Sequence, residues 1–102
     1  MSFNIDSSLL KAMVLSIISI DDIHGYELMR KINDVVEISD STLYPTLKRL
    51  QKTGFLKSYQ EVYNGRNRRY YSITEKGRQQ LKIYMEEEST YKTVINDILE
   101  II

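Results

Sequence analysis

Asn64-Gly65 lies between two stretches of alternating polarity, LKSYQEVY and RNRRYYSI. Asn-Gly is the dipeptide best suited to a two-residue type I′ turn, which needs positive φ at both central positions. The middle of the chain therefore reads as a β-hairpin. With that turn, Tyr59 faces Tyr70, Glu61 faces Arg68 and Leu56 faces Ile73, all sensible cross-strand partners. Three arginines (Arg66, Arg68 and Arg69) crowd beside the turn.

Helical patterns surround the hairpin. IDSSLLKAMVLSIISI predicts a first helix, capped by Asp6 or Ser7, with Leu10, Met13, Val14, Ile17 and Ile18 at helical spacing. Leu9, Leu15 and Ile20 make its other sides apolar, so it calls for cover on more than one face. DDIHGYELMRKINDVV predicts a second helix, capped by Asp21 or Asp22, with Leu28, Met29, Ile32 and Val35 or Val36 as the inner stripe. His24 is expected to cap or pack at its start. Gly25 is expected to allow close approach of another backbone.

SDSTLYPTLKRLQKTG predicts a third helix, with Ser41 as cap and Gly54 as its left-handed end. Leu43, Leu47 and Leu50 line one face, and Pro45 is tolerable only near the N-terminus. TEKGRQQLKIYMEEESTYKTVINDILEII predicts a long final helix capped by Thr74. Leu81, Tyr84, Glu88, Tyr91, Ile95, Ile98 and Ile102 recur at steps of three and four, the seam of a coiled coil with Glu88 as its misfit. The seam can pack back on its own domain or join two subunits. The apolar girth of the first helix, which needs cover, favours a homodimer, with Leu10 and Val14 of the first helix joining Leu81, Tyr84, Tyr91, Ile95, Ile98 and Ile102 at the interface.

The chain of 102 residues is the size of one domain. Its formal net charge of zero hides a strong segregation. Residues 1–40 carry three basic and seven acidic side chains, residues 41–82 carry ten and two, and residues 83–102 carry one and five. A basic middle of this kind attracts polyanions locally. Cysteine is absent, which removes disulfides, thiolate catalysis and cysteine-ligated zinc, and the single histidine cannot make a metal site alone. No metal or cofactor is expected. There is no Gly-rich phosphate loop and no nucleophile with a base at motif spacing, so the chain does not read as an enzyme. The longest nearly apolar run, AMVLSIISI, falls far below the ~20 residues of a membrane helix. No signal peptide is evident, and a cytoplasmic location is the default expectation.

Three helices, a basic hairpin and a final helix make the pattern of a winged helix-turn-helix domain. The predicted fold is mainly α with a small β-hairpin, with residues 1–80 as the DNA-binding domain and residues 81–102 as a continuous dimerisation helix. The third helix is then the recognition helix of the major groove. Its outward face offers Ser41, Thr42, Pro45, Lys48, Arg49 and Lys52. Asn64, Gly65, Arg66, Asn67 and Arg68 at the wing tip would meet phosphates or the minor groove. Arg69 faces the opposite way from Arg68 and is expected to stay on the body, stacked on a tyrosine. A winged-helix module that sets its basic face on an acidic protein partner is the alternative.

Three stretches, HGYELMRKI at 24–32, STLYPTLKRLQKTGFL at 41–56 and RRYYSITEKGRQQL at 68–81, resemble the PadR-like family of bacterial transcriptional regulators. The resemblance implies a dimeric winged-helix repressor on a near-palindromic operator of double-stranded DNA, released by a small aromatic or cationic effector. It also favours DNA contact for Tyr44. The length is similar to the short class, some members of which hold flat drugs between tryptophans. Tryptophan is absent here. An effector would lie between the final helices and the first, near Leu15, Tyr91 and Ile95.

Overall fold

The computed structural model describes the backbone of residues 7–101 and the side chains of residues 7–87 and 98–100. In chain order the elements are α1 (Ser7–Ile20), β1 (Ile23–His24), α2 (Gly25–Asn33), α3 (Asp40–Lys52), β2 (Leu56–Tyr63), β3 (Arg66–Ile73) and α4 (Glu75–Ile101). The three strands form one antiparallel sheet in the order β1-β3-β2. This is a mainly helical winged-helix architecture, as the pattern of elements indicates.

The core forms where the apolar faces of the first three helices meet the base of the hairpin. Leu10, Val14, Leu15 and Ile18 of α1 pack with Leu28 and Ile32 of α2, Leu43, Leu47 and Leu50 of α3, and Leu56, Tyr71 and Ile73 of the sheet. Each such aliphatic side chain contributes about 1.5–3 kcal/mol on burial. α4 runs back along α1. It is continuous across position 80, so the backbone marks no boundary at the division expected between residues 80 and 81.

Local chemistry sets the ends of the elements. α3 stops in a Schellman motif: Gly54 takes φ +85°, its N–H bonds to Gln51 O at 3.0 Å, and Phe55 N–H bonds to Leu50 O at 2.9 Å. Thr74 caps α4 by accepting the Gly77 N–H at 3.0 Å, while its own hydroxyl donates to Gly54 O at 2.6 Å. The end of α3 and the start of α4 are thereby tied together. Lys76 adds a 2.8 Å bond from Nζ to Thr53 O.

Several expectations need correction. Ile23 and His24 do not lie in α2 but form the two-residue strand β1, paired with Tyr71 and Tyr70. The cap of α2 is accordingly His24, whose Nδ1 accepts the Glu27 N–H at 3.3 Å, rather than Asp21 or Asp22. α3 is capped by Ser39 rather than Ser41. Its hydroxyl lies 2.8 Å from that of Ser41 and 3.2 Å from that of Thr42, and it makes no side-chain capping bond. Because α2 ends at Asn33, Val36 turns onto the core and Val35 is left exposed. Leu9 and Ile20 also face out, so α1 buries less of its girth than its composition suggests. Asp6 lies outside the described residues.

Candidate nucleic-acid interface

α3 has two chemically distinct faces. Leu43, Thr46, Leu47 and Leu50 are buried. Ser41, Thr42, Tyr44, Pro45, Lys48, Arg49 and Lys52 are all exposed, so the outward set read from helical spacing does reach solvent. Pro45 is the sixth residue of the helix and has no N–H, so the Ser41 carbonyl lacks its usual intrahelical donor.

The wing has the predicted register throughout: Tyr59 pairs with Tyr70, Glu61 with Arg68, Leu56 with Ile73, and Tyr63 with Arg66 across the turn. Asn64 and Gly65 take φ values of 51° and 77°, both in the left-handed region that the turn requires. Asn64, Gly65, Arg66 and Asn67 are exposed at the tip. At the base of the wing, Gln51 Nε2 donates to Ser58 Oγ at 2.8 Å and links β2 to the last turn of α3.

The arginines divide differently from the expectation. Arg68 is the one over an aromatic ring, with its guanidinium carbon 4.6 Å from the centre of Tyr63. Its Nη1 is also 3.4 Å from His24 Nε2. Tyr63 faces Arg66 across the ladder, and Arg68 is its diagonal neighbour. Arg69 is exposed and shares the parity of Tyr71 and Ile73. Burial pushes the Tyr71 phenol up, and the hydrogen-bonded Arg69 guanidinium beside it offsets only part of that rise.

α3 and the wing meet around one cleft. Tyr44 of α3 and Arg68 and Arg69 of β3 line it together. The Tyr44 ring lies against Gly25: a Cβ there would sit 3.2 Å from the Tyr44 hydroxyl and 3.3 Å from the nearest ring carbon. Gly25 thus gives access to a phenol rather than to a neighbouring backbone. Tyr26, Tyr63 and Arg69 belong to this neighbourhood and were not singled out as site residues. Their hairpin parity and the HGY tripeptide were the available signals.

The side chains assigned to a subunit interface fall into three groups. Leu10 and Val14 are 4% and 0% exposed within the single chain, so its own core leaves them almost nothing to offer a second copy. Leu15, assigned to an effector site, is likewise 0% exposed in the core. Leu81 and Tyr84 are half-buried against the same core, and Ile98 is exposed. Glu88, Tyr91, Ile95 and Ile102 lie outside the described side chains. Among the described residues, no three His, Asp or Glu side chains gather to hold a metal. No described helix is long and apolar enough to cross a membrane.

Residues 14–83 match the Transcriptional regulator PadR-like family. A solved structure of smu.1704 from Streptococcus mutans UA159 superposes with a TM-score of 0.90 at 37% identity, covering 98% of this chain and 94% of that one. A PadR family transcription regulator from Clostridium difficile R20291 superposes with a TM-score of 0.82 at 30% identity, covering 88% and 97%. The Mycobacterium tuberculosis transcriptional regulator Rv3488 is 42% identical over 59 residues, 57% of this chain and 55% of that protein.

Proposed function

The chain belongs to the PadR-like family of transcriptional regulators, and we propose that this DNA-binding regulator acts as a homodimeric, ligand-responsive repressor on a near-palindromic operator. The observation that carries the reading is the shared cleft: Tyr44 of α3 and Arg68 and Arg69 of the wing line it together. A recognition helix and a wing on one side of the molecule can engage one stretch of duplex at once. In the proposal, Ser41, Thr42, Tyr44, Pro45, Lys48, Arg49 and Lys52 enter the major groove, while Asn64, Gly65, Arg66, Asn67 and Arg68 follow the adjacent backbone or minor groove.

The dimer is supported by shape and by exposed apolar surface. The radius of gyration is 15.7 Å, against about 13 Å for a compact chain of this length. The 27 residues of α4 extend about 40 Å. Met85, Ile98 and Leu99 on α4 are 62%, 51% and 64% exposed, and a projecting helix with such side chains suits a second copy. In this reading residues 1–80 bind DNA and residues 81–102 join the subunits. Two α3 helices then sit one helical turn apart, ~34–36 Å. The effector part of the proposal, a small aromatic or cationic compound near Tyr91 and Ile95, rests on family membership.

Selection of bound duplexes from random DNA, with sedimentation of the free protein, tests the reading. An inverted repeat bound at least ~10³-fold more tightly than scrambled duplex by a dimer supports it. Equal affinity for scrambled duplex, or a monomer at binding concentrations, contradicts it. Small aromatic and cationic compounds screened against the selected complex test the effector: release by one member of either class supports that part, and no release by either class removes it.

A further inference from the structure

The cleft between α2, α3 and β3 contains a conflict between two hydrogen-bond donors. It is an open cleft of about 440 Å3, lined by His24, Gly25 and Tyr26 as well as Tyr44, Arg68 and Arg69. His24 is committed on one side, because its Nδ1 accepts the Glu27 N–H that begins α2. A neutral imidazole accepts at only one nitrogen and donates at the other. With Nδ1 accepting, Nε2 carries the hydrogen. That nitrogen stands 3.4 Å from Arg68 Nη1, and a guanidinium has donors and no acceptor. The contact is therefore donor against donor. The opposite tautomer would satisfy Arg68 but set an Nδ1–H against the Glu27 N–H, which moves the conflict to the helix cap without removing it.

An acceptor oxygen between Nε2–H and Nη1–H resolves the conflict and forms two hydrogen bonds, one of them from a charged donor. The surroundings suit an anion. The Tyr63 ring supports Arg68 from one side, Arg69 supplies a second guanidinium, and Tyr44 and Tyr26 bring phenol groups to the same cleft. The start of α2 adds the positive end of a helix dipole. Tyr44 also belongs to the exposed face of α3, so the cleft lies between the recognition helix and the wing, where a DNA strand would pass.

We propose that this cleft binds a phosphate group of the duplex DNA backbone, with the His24 Nε2–H and Arg68 as paired donors. The source of the phosphate rests on the regulator reading above; the donor geometry does not.

The test follows the single His24 imidazole and the Gly25 and Tyr26 amides by 1H–15N NMR in the full chain. Three titrants are compared: duplex DNA, inorganic phosphate, and chloride at matched ionic strength. Duplex is expected to move these signals, phosphate to move them at higher concentration, and chloride to leave them. In parallel, His24→Asn keeps a side chain well suited to cap α2 but lacks the distal N–H. It should weaken duplex binding about tenfold across sequences with an unchanged salt dependence. Arg68→Gln should weaken binding similarly and make the salt dependence shallower by about one. Melting curves confirm that both variants fold. Wild-type affinity in His24→Asn, while the native chain binds DNA normally, overturns the proposal and leaves the regulator reading standing. Signals moved by phosphate but not by duplex overturn the DNA source and give the cleft to a free phosphorylated ligand. A chain that binds no duplex overturns the regulator reading itself, together with the DNA source.

Discussion

Tyr59 donates a 2.6 Å hydrogen bond to Oδ2 of Asp22, joining the outer strand of the wing to the segment that leads into β1. The bond spans the sheet past β3, where Tyr70 stacks on Tyr59 at 5.7 Å between ring centres and meets His24 edge-on at 5.6 Å. One side of the sheet is thus a continuous row of side chains from Asp22 to His24. The row braces the wing against the start of α2 and so holds Arg68 at its place in the cleft.

The same bond makes a prediction about pH. Donation to the Asp22 carboxylate pushes the Tyr59 phenol up from 10.0 to about 12. An acid whose folded-state value is raised adds stability that is fully present below the unfolded value and is lost as pH climbs through the folded one. The contribution of Tyr59 is therefore intact below pH ~10 and disappears between ~10 and ~12. In a tyrosinate absorbance titration, Asp22→Asn should bring one late-ionising tyrosine back towards the ordinary range, and Tyr59→Phe should remove it. Identical titration curves for wild type and Asp22→Asn would refute the assignment.

Gly77 and Gly65 are needed for different reasons. A Cβ on Gly77 would collide with the Phe55 carbonyl and lie 2.8 Å from Ile73 Cγ1, inside the joint between α4 and the sheet. Gly77→Ala should cost about 1–3 kcal/mol through overpacking. Gly65 has open space around it but takes φ +77°, so Gly65→Ala should cost about 1–2 kcal/mol through backbone strain alone. Denaturant unfolding at one fixed protein concentration measures both. A Gly77→Ala variant as stable as wild type would mean that this joint is looser than described.

Arg66 and Arg68 carry the proposed electrostatic grip of the wing. Replacing both with alanine should weaken binding to every duplex and reduce the slope of log K against log salt by about two. Unchanged affinity over several salt concentrations would remove the wing from the interface.

Ile98 is half exposed on α4, and heptad spacing in the sequence assigns it with Ile95 to the proposed dimer seam. Ile95→Asp combined with Ile98→Asp should give monomers in sedimentation and poor operator binding. A stable dimer in that variant would place the subunit contact elsewhere.

Features set by local chemistry were legible before the fold was known. Asn64-Gly65 determined the turn and with it every pair in the hairpin, Gly54 marked the end of α3, and Thr74 marked the start of α4. Leu43, Leu47 and Leu50 separated the two faces of α3. Features that depend on distant partners were not legible. Ile23 and His24 form a strand only because Tyr70 and Tyr71 arrive beside them, and two residues carry no periodicity. Alternation placed Arg68 and Arg69 on opposite sides but could not show that Tyr63 and His24 would receive Arg68. The apolar girth of α1 suggested cover from a second subunit, whereas Leu10 and Val14 are already buried in the core of their own chain. Helical spacing identifies an apolar face without identifying its partner.

Hydroxyl-radical footprinting on a selected operator tests most directly whether α3 and the wing work on one side of a twofold molecule. Two symmetric protected zones are predicted, with centres one turn of DNA apart, ~34–36 Å, and with flanking protection that disappears in the Arg66→Ala, Arg68→Ala variant. A single asymmetric zone, or flanks that survive loss of both arginines, would contradict the account.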